Sequence, residues 1–371
     1  MRYRECQMLQ AFVKRIINLL TDWLIVLLGV SLILWFGITL PTFSLSKTDL
    51  SEYSSLNIDQ INLKKHVKAL SDFYAPRTIE YGTLNAAADY IYKELSEIST
   101  TSYQPYWTLT GRYNNVVLNL GPNTKKIIVI GAHYDAQNSS LDIDGNASGV
   151  SALIELARHL AENQDKLAIG VQLVAYPLSQ KQSVTIENMG SYQHASSLKD
   201  SAKQVKLMLS LDNVGSYSEE KKSQKYPYKF MHYVYPDKGN YISLLGRLQD
   251  YSEILDFKKS FKHSSALALY SFSLPASNYP TNSQDHLNYQ RHGFPAMVIT
   301  DTAGYRNIKI DQKAVVERLD YKKIAMLVQG LYQVVMDNES ALHEFDGFAQ
   351  KSTKFEPTLS YKNGKKRGGV L

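Results

Sequence analysis

The chain has 371 residues, 44% of them hydrophobic and 20% charged, with 20 Gly and 11 Pro, which excludes collagen-like, mucin-like and wholly disordered proteins. Its single cysteine, Cys6, excludes a disulfide framework and any cysteine-based zinc finger. The net charge of +6 collects at the ends, net +2 in residues 1–22 and net +3 in 343–371; the remainder of about +1 excludes a basic groove for nucleic acid.

The first signal in chain order is WLIVLLGVSLILWFGITL at 23–40, eighteen residues without a charge. That length crosses about 30 Å of hydrocarbon as a helix, and Trp23 and Trp35 suit interfacial positions. A buried core helix would carry a polar stripe. A cleaved signal peptide would have a shorter apolar run followed by an A-x-A-like site, where this chain has Pro41-Thr42-Phe43. The run is therefore expected to be an uncleaved transmembrane signal anchor. Lys14 and Arg15 precede it, whereas 41–60 carries Lys47 against Asp49, Glu52 and Asp59. The positive-inside rule then keeps residues 1–22 in the cytoplasm and puts the rest outside, as in a bacterial inner-membrane protein with a periplasmic domain. Cys6 falls on the reducing side, so the exported part needs no oxidative folding.

Residues 41–57 are polar and Ser-rich, and read as a linker. A globular pattern runs from 58 to 338 without internal repeats. Leu84, Ala87, Ala88, Ile91, Leu95 and Ile98 recur at helical spacing. Strand patterns follow at 115–120 and 127–130. Val150, Leu153, Ile154, Ala157 and Leu160 mark a second amphipathic helix. Further strands are predicted at 169–176, 207–212 and 296–300, and a last helix at 319–336. Strands that are apolar throughout, separated by helices, imply a sheet covered on both faces, a three-layer α/β/α domain. The tail 339–371, with Lys362-Asn363-Gly364-Lys365-Lys366-Arg367, lacks apolar periodicity and reads as a disordered, solvated charge run. The 26 tyrosines suit an amphipathic surface and core, although clustered exposed tyrosines would suit a protein interface.

Ligands of open α/β sheets bind beyond the carboxyl ends of the strands. There the chain places Gly131-Ala132-His133-Tyr134-Asp135, Asp212-Asn213 and Asp301-Thr302, and before the second helix Asp142-Ile143-Asp144-Gly145-Asn146. A histidine with several carboxylates points to a hard or borderline metal, zinc above all. Any one of these acids alone reads first as a helix cap or turn residue.

Together the segments IIVIGAHYDAQ and GNASGVSALIELARHL resemble the zinc-dependent aminopeptidase family that includes the glutaminyl cyclases. The resemblance extends upstream to FYAPRTIEYGTLNAAADYIYKEL and GRYNNVVLNLG. Downstream it takes in MGSYQHASSL, LMLSLDNVGSYS, SQDHLNY and GFPAMVITDTAGYRN, so that it covers about 60–336. It implies a zinc-exopeptidase-like fold with a mixed central sheet, and a pair of zinc ions bridged by a carboxylate and a water. One metal polarises the peptide carbonyl, the pair acidifies the water, and a Glu general base takes its proton.

Carried over by position, His133 matches the first ligand, Asp135 the acid that orients it, and Asp212 the terminal carboxylate of the same zinc. The bridging Asp falls on Gly145, the Glu-Glu pair on Ser179 (the general base) and Gln180, and the last His on Asp311. A slip of one residue would let Asp144 substitute for the bridge, with Glu187 as a base. Otherwise Asp142 and Asp144 form an exposed acidic turn before a helix. A Ser179 nucleophile would need a His that the sequence does not place. Asp285-His286 resembles a pair beside the substrate pocket, and a structural hydrogen-bonding role is expected for it. With most ligands and the base replaced, no cofactor is expected; weak zinc at His133 and Asp212 is the alternative. The reading is a membrane-anchored, catalytically inactive relative that binds a protein or peptide, as against an active zinc aminopeptidase with an altered site.

Overall fold

The computed structural model describes residues 2–39, 56–73, 77–78, 82–136, 144–179, 184–273, 285–306 and 315–337. Asp142, Gln180, Asp311, the tail 339–371 and nearly all of the expected linker 41–57 lie outside them.

The apolar N-terminus forms one helix, α1 (Arg2–Thr39), which contains an apolar stretch Ala11–Gly37 that buries nothing against the protein. That stretch is long enough to cross a bilayer and wider than the charge-free run 23–40. By length and composition it is equally a signal sequence.

The helices that follow are α2 (Gln60–Lys68), α3 (Thr83–Ser96), α4 (Ala147–Ala161), α5 (Gly190–Asp200), α6 (Tyr251–Ser264), α7 (Asp285–Arg291), the one-turn α8 (Val315–Arg318) and α9 (Tyr321–Asp337). The strands are β1 (Thr101–Thr108), β2 (Gly111–Leu120), β3 (Lys126–His133), β4 (Gly170–Tyr176), β5 (Gln204–Leu211), β6 (Ile242–Leu245), β7 (Leu269–Phe272) and β8 (Ala296–Thr300). They form one sheet in the order β1-β2-β4-β3-β5-β8-β6-β7. Pairs β3–β4, β3–β5, β5–β8 and β6–β7 are parallel; β1–β2, β2–β4 and β6–β8 are antiparallel.

The two-residue alternation of a strand explains the layers. In β3, Ile128, Ile130 and Ala132 face the larger core with α2, α3, α4, α6 and α9, while Ile127 and Val129 face a second core with Ala195 and Leu198 of α5 and Tyr289 of α7. The sheet is thus covered on both faces, a mixed-sheet α/β/α architecture that agrees with the sequence pattern. In α9, Ile324, Leu327, Val328, Leu331, Val334 and Val335 recur at helical spacing and are buried; each contributes roughly 1.5–3 kcal/mol through burial. Gly330 brings α9 close to α6, since a β-carbon there would overlap the Phe261 ring.

Several boundaries differ from the sequence pattern. β2 and β5 begin earlier than expected, and β3 runs on through His133. Asp212 falls just past β5 instead of ending it. The pattern passed over β1, whose alternate exposed residues dilute its apolar signal, and the four-residue β6 and β7, which are too short to carry a period.

Candidate functional site

The carboxyl ends of β3, β4, β5 and β8 meet at one edge of the sheet. Parallel register pairs His133 with Tyr176 and Ala132 with Leu211, so His133 and Asp212 emerge at the same level. His133 Nε2 lies 3.5 Å from Asp212 Oδ1. On its other side, Nδ1 is 3.0 Å from the Asp135 carbonyl oxygen and 3.5 Å from Asp135 Oδ1. Asp135 therefore orients the ring mainly through its backbone. Its carboxylate accepts from the Ser179 amide with both oxygens, at 3.1 Å each. Burial works against a charged His133, but the hydrogen bonds and charges of Asp135 and Asp212 outweigh it and hold the pKa well above 6.5. Protonated His133 then supplies positive charge between two carboxylates.

Asn146 holds this arrangement together. It stands at φ 54°, in the left-handed region that Asn tolerates better than most residues. Nδ2 donates to the carbonyls of His133 (3.0 Å) and Leu211 (2.9 Å), and Oδ1 accepts from the Asn213 amide (2.8 Å). The staple ties the ends of β3 and β5 to the start of α4.

The neighbouring position is closed. Gly145 has φ +56°, and a β-carbon there would overlap Ala136 and the Arg77 guanidinium. Arg77 is fully buried. Its Nε donates to the Tyr134 carbonyl (2.7 Å), Nη1 to the Leu70 carbonyl, and Nη2 to the carbonyls of Asp144 (3.3 Å) and Gly145. A cationic side chain held by backbone carbonyls thus occupies the space beside the position that the family resemblance assigns to the bridging carboxylate. Arg77 lies inside the segment FYAPRTIEYG, yet nothing in its sequence neighbourhood marks it as buried.

Asp144 does not form the exposed turn expected of it: it is buried, and Oδ2 accepts from the Ser148 amide at 3.0 Å, capping α4. Burial pushes its pKa up despite that hydrogen bond and Arg77. Ser179 is buried as well, and its Oγ donates to Asp285 Oδ1 at 2.6 Å. Asp285 is a structural partner for this serine, and burial raises its pKa to about 6. Beside it, burial drives His286 down to about 3. Glu187 sits in the short turn Ile186–Asn188 before α5 and is not buried.

Backbone strain collects here. Among the described residues, six non-glycine residues have φ between +52° and +60°, and four of them, Asn146, Leu178, Asn213 and Thr302, line this edge. Leu178, just before Ser179, is the least suited to that region. Such outliers persist where the surroundings over-determine them, and they cluster at active sites and ligand clamps.

A binuclear zinc centre needs three or more donors per metal and a shared bridge. Among the described residues no three His, Cys, Asp or Glu side chains converge closely enough for one metal ion. The described donors, His133 and Asp212 beside a blocked Gly145 and a serine committed to Asp285, do not fit that centre.

Comparison with known proteins places these residues in a family context. Residues 115–327 match the model of peptidase family M28. The uncharacterized protein YfbL of Escherichia coli is 37% identical over 289 residues, covering 75% of this chain and 88% of YfbL. The LapA aminopeptidase of Legionella pneumophila superposes with a TM-score of 0.57 at 15% identity, covering 81% of this chain and 78% of LapA. The glutaminyl cyclase of Porphyromonas gingivalis gives 0.54 at 15%, covering 78% and 100%.

Proposed function

Since the chain belongs to peptidase family M28, we propose that it is a membrane-anchored member that no longer hydrolyses peptides and uses its domain to bind a protein or peptide partner. The observation that carries this reading is the pair of replaced positions. Arg77 fills the room a carboxylate at 145 would need, and Ser179, at the general-base position, is a buried donor to Asp285. Loss of a general base alone typically costs 10²–10⁴-fold in rate. Helix α1 is the anchor in this reading, with Lys14 and Arg15 on the cytoplasmic side and the domain outside.

Metal analysis and aminopeptidase assays on the purified full-length protein test the proposal together. The expected result is far less than one zinc per chain and no chelator-sensitive release of N-terminal residues. Stoichiometric zinc with chelator-sensitive activity overturns it in favour of an aminopeptidase with an altered site. One observation favours that second reading: Asp212 Oδ2 is buried beside His133 with no hydrogen-bond partner among the described residues.

A further inference from the structure

The domain carries a concentrated apolar surface beside β6 and β7. Beyond α1, the large exposed hydrophobic residues among those described are Ile61, Trp107, Leu109, Tyr228, Phe230, Tyr233, Val234 and Leu248. Half of them fall within seven residues, in the segment Lys225–Tyr235 (KYPYKFMHYVY). Lys225 and Lys229 are exposed in the same segment. Tyr233 is 91% exposed, and Tyr228 stacks on Phe230 with ring centres 5.8 Å apart.

This is a rigid platform. Met231 points inward at the turn Lys229–Tyr233 and plugs a core of Tyr235, Tyr241, Leu245, Phe272 and Val298. Tyr226 OH is 2.8 Å from Tyr241 OH and donates to the Pro236 carbonyl at 2.6 Å. Outward aromatic residues on a fixed base lose little conformational freedom when they meet a second surface.

The position of α1 says which surface that is. The last turn of α1 packs against β7, the edge strand. Ser271 of β7 donates from Oγ to the Thr39 carbonyl at 2.7 Å, and its own carbonyl accepts from Tyr235 OH at 3.1 Å. Lys258 Nζ donates to the same Oγ at 2.7 Å. Phe272, the next residue, packs on Tyr235 with ring centres 4.2 Å apart. One strand residue therefore joins the end of the apolar helix to the base of the aromatic segment. The apolar stretch of α1 stops at Gly37, two residues or about 3 Å of helix rise before Thr39. If the helix spans a bilayer, its outer hydrocarbon boundary lies beside β7. Tyr and Phe with flanking Lys match that level: amphipathic rings partition to the headgroup region, and Lys meets anionic phosphates.

We infer that the exposed aromatic face of Lys225–Tyr235 is a second membrane contact, seated in the outer headgroup layer, which fixes the domain's orientation on the bilayer. The inference rests on the proposed anchoring role of α1. It orients the opposite sheet edge, with the β1–β2 hairpin tip at Trp107 and Leu109, away from the membrane.

The test uses the full chain with Cys6→Ser, which removes the only cysteine, and one new cysteine at Tyr233→Cys or Leu109→Cys, both highly exposed positions. Each carries an environment-sensitive fluorophore and is reconstituted into phosphatidylcholine–phosphatidylglycerol vesicles that contain a lipid nitroxide-labelled near the headgroup. Retention after an alkaline carbonate wash reads the anchor; quenching reads the contact. The inference expects retention, blue-shifted emission at 233, and several-fold stronger quenching at 233 than at 109. Retention with equal, weak quenching at both positions overturns the contact, leaves the anchor standing, and assigns the aromatic face to solvent or a protein. Loss of the protein in the wash overturns the anchoring role and the contact together.

Discussion

Gly145 and Asn146 are adjacent and share a left-handed backbone, yet they belong to differently built halves of the carboxyl edge. Around Asn146, every donor and acceptor of the side chain is spent on joining β3, β5 and α4, and His133 and Asp212 stand where the family resemblance expects them. Around Gly145, a buried arginine and Ala136 fill the space, and at position 179 a buried serine is paired with Asp285. The difference teaches that one polar side chain can hold strand ends and a helix start together through its own hydrogen bonds, whereas a bare glycine position is closed by a distant side chain that backbone carbonyls satisfy. A buried hydrogen-bonded staple costs stability when removed, because the groups that it satisfied are left desolvated and unpaired.

The strongest way to break this comparison is Asn146→Ala. It strands two buried carbonyls and one amide, and leaves a β-carbon in the left-handed region. The expected loss is about 4 kcal/mol, at roughly 1–2 kcal/mol per orphaned group plus strain. Chemical denaturation measures it, and a loss under about 1 kcal/mol would show that the staple does not hold the kept half.

Acid sharpens the comparison, because buried His66, His194 and His286 titrate in the opposite sense to His133 at the carboxyl edge. Burial pushes His194, against Tyr289, and His66, despite nearby Glu94, down to about 4, and His286 down to about 3. These groups bind protons more weakly folded than unfolded, so their contribution is complete above pH 6.5 and is lost as pH falls towards 4. At pH 5 each costs about 2 kcal/mol. Asp285 and His133 are raised and work the other way: they bind protons more tightly when folded and return part of the loss on acidification. A net fall of about 3 kcal/mol between pH 7 and pH 5 is expected from denaturation midpoints. Rising stability over that range would mean that the raised groups dominate.

A smaller effect is expected of Gly145→Asp, which restores the carboxylate the family resemblance places there. The new side chain meets Ala136 and Arg77, and overpacking of this kind costs about 2 kcal/mol. No zinc should be gained, as read by metal analysis. Metal uptake by this single variant would show that the rebuilt half is one substitution from function.

Much of the architecture was legible in the chain. Apolar strands alternating with amphipathic helices implied two covered faces, and the segments around His133, Asn146 and Asp212 implied the family. The short edge strands β6 and β7 escaped because four residues carry no measurable period. At the site, Gly145 and Ser179 could be read as letters, but the distant side chains that pack against them could not. Arg77 reaches Gly145 across 68 positions, and Ser179 reaches Asp285 across 106.

By itself, the order of residues determined the long apolar helix, the layer pattern and the family, because each depends on side-chain type at short spacing. Tertiary structure alone decided that Asp144 caps a helix, that a buried cation closes the space beside Gly145, and that Ser271 joins the end of α1 to an aromatic face. Those outcomes depend on which distant backbone carbonyls and hydroxyls folding brings within hydrogen-bond reach, and no local pattern encodes that distance.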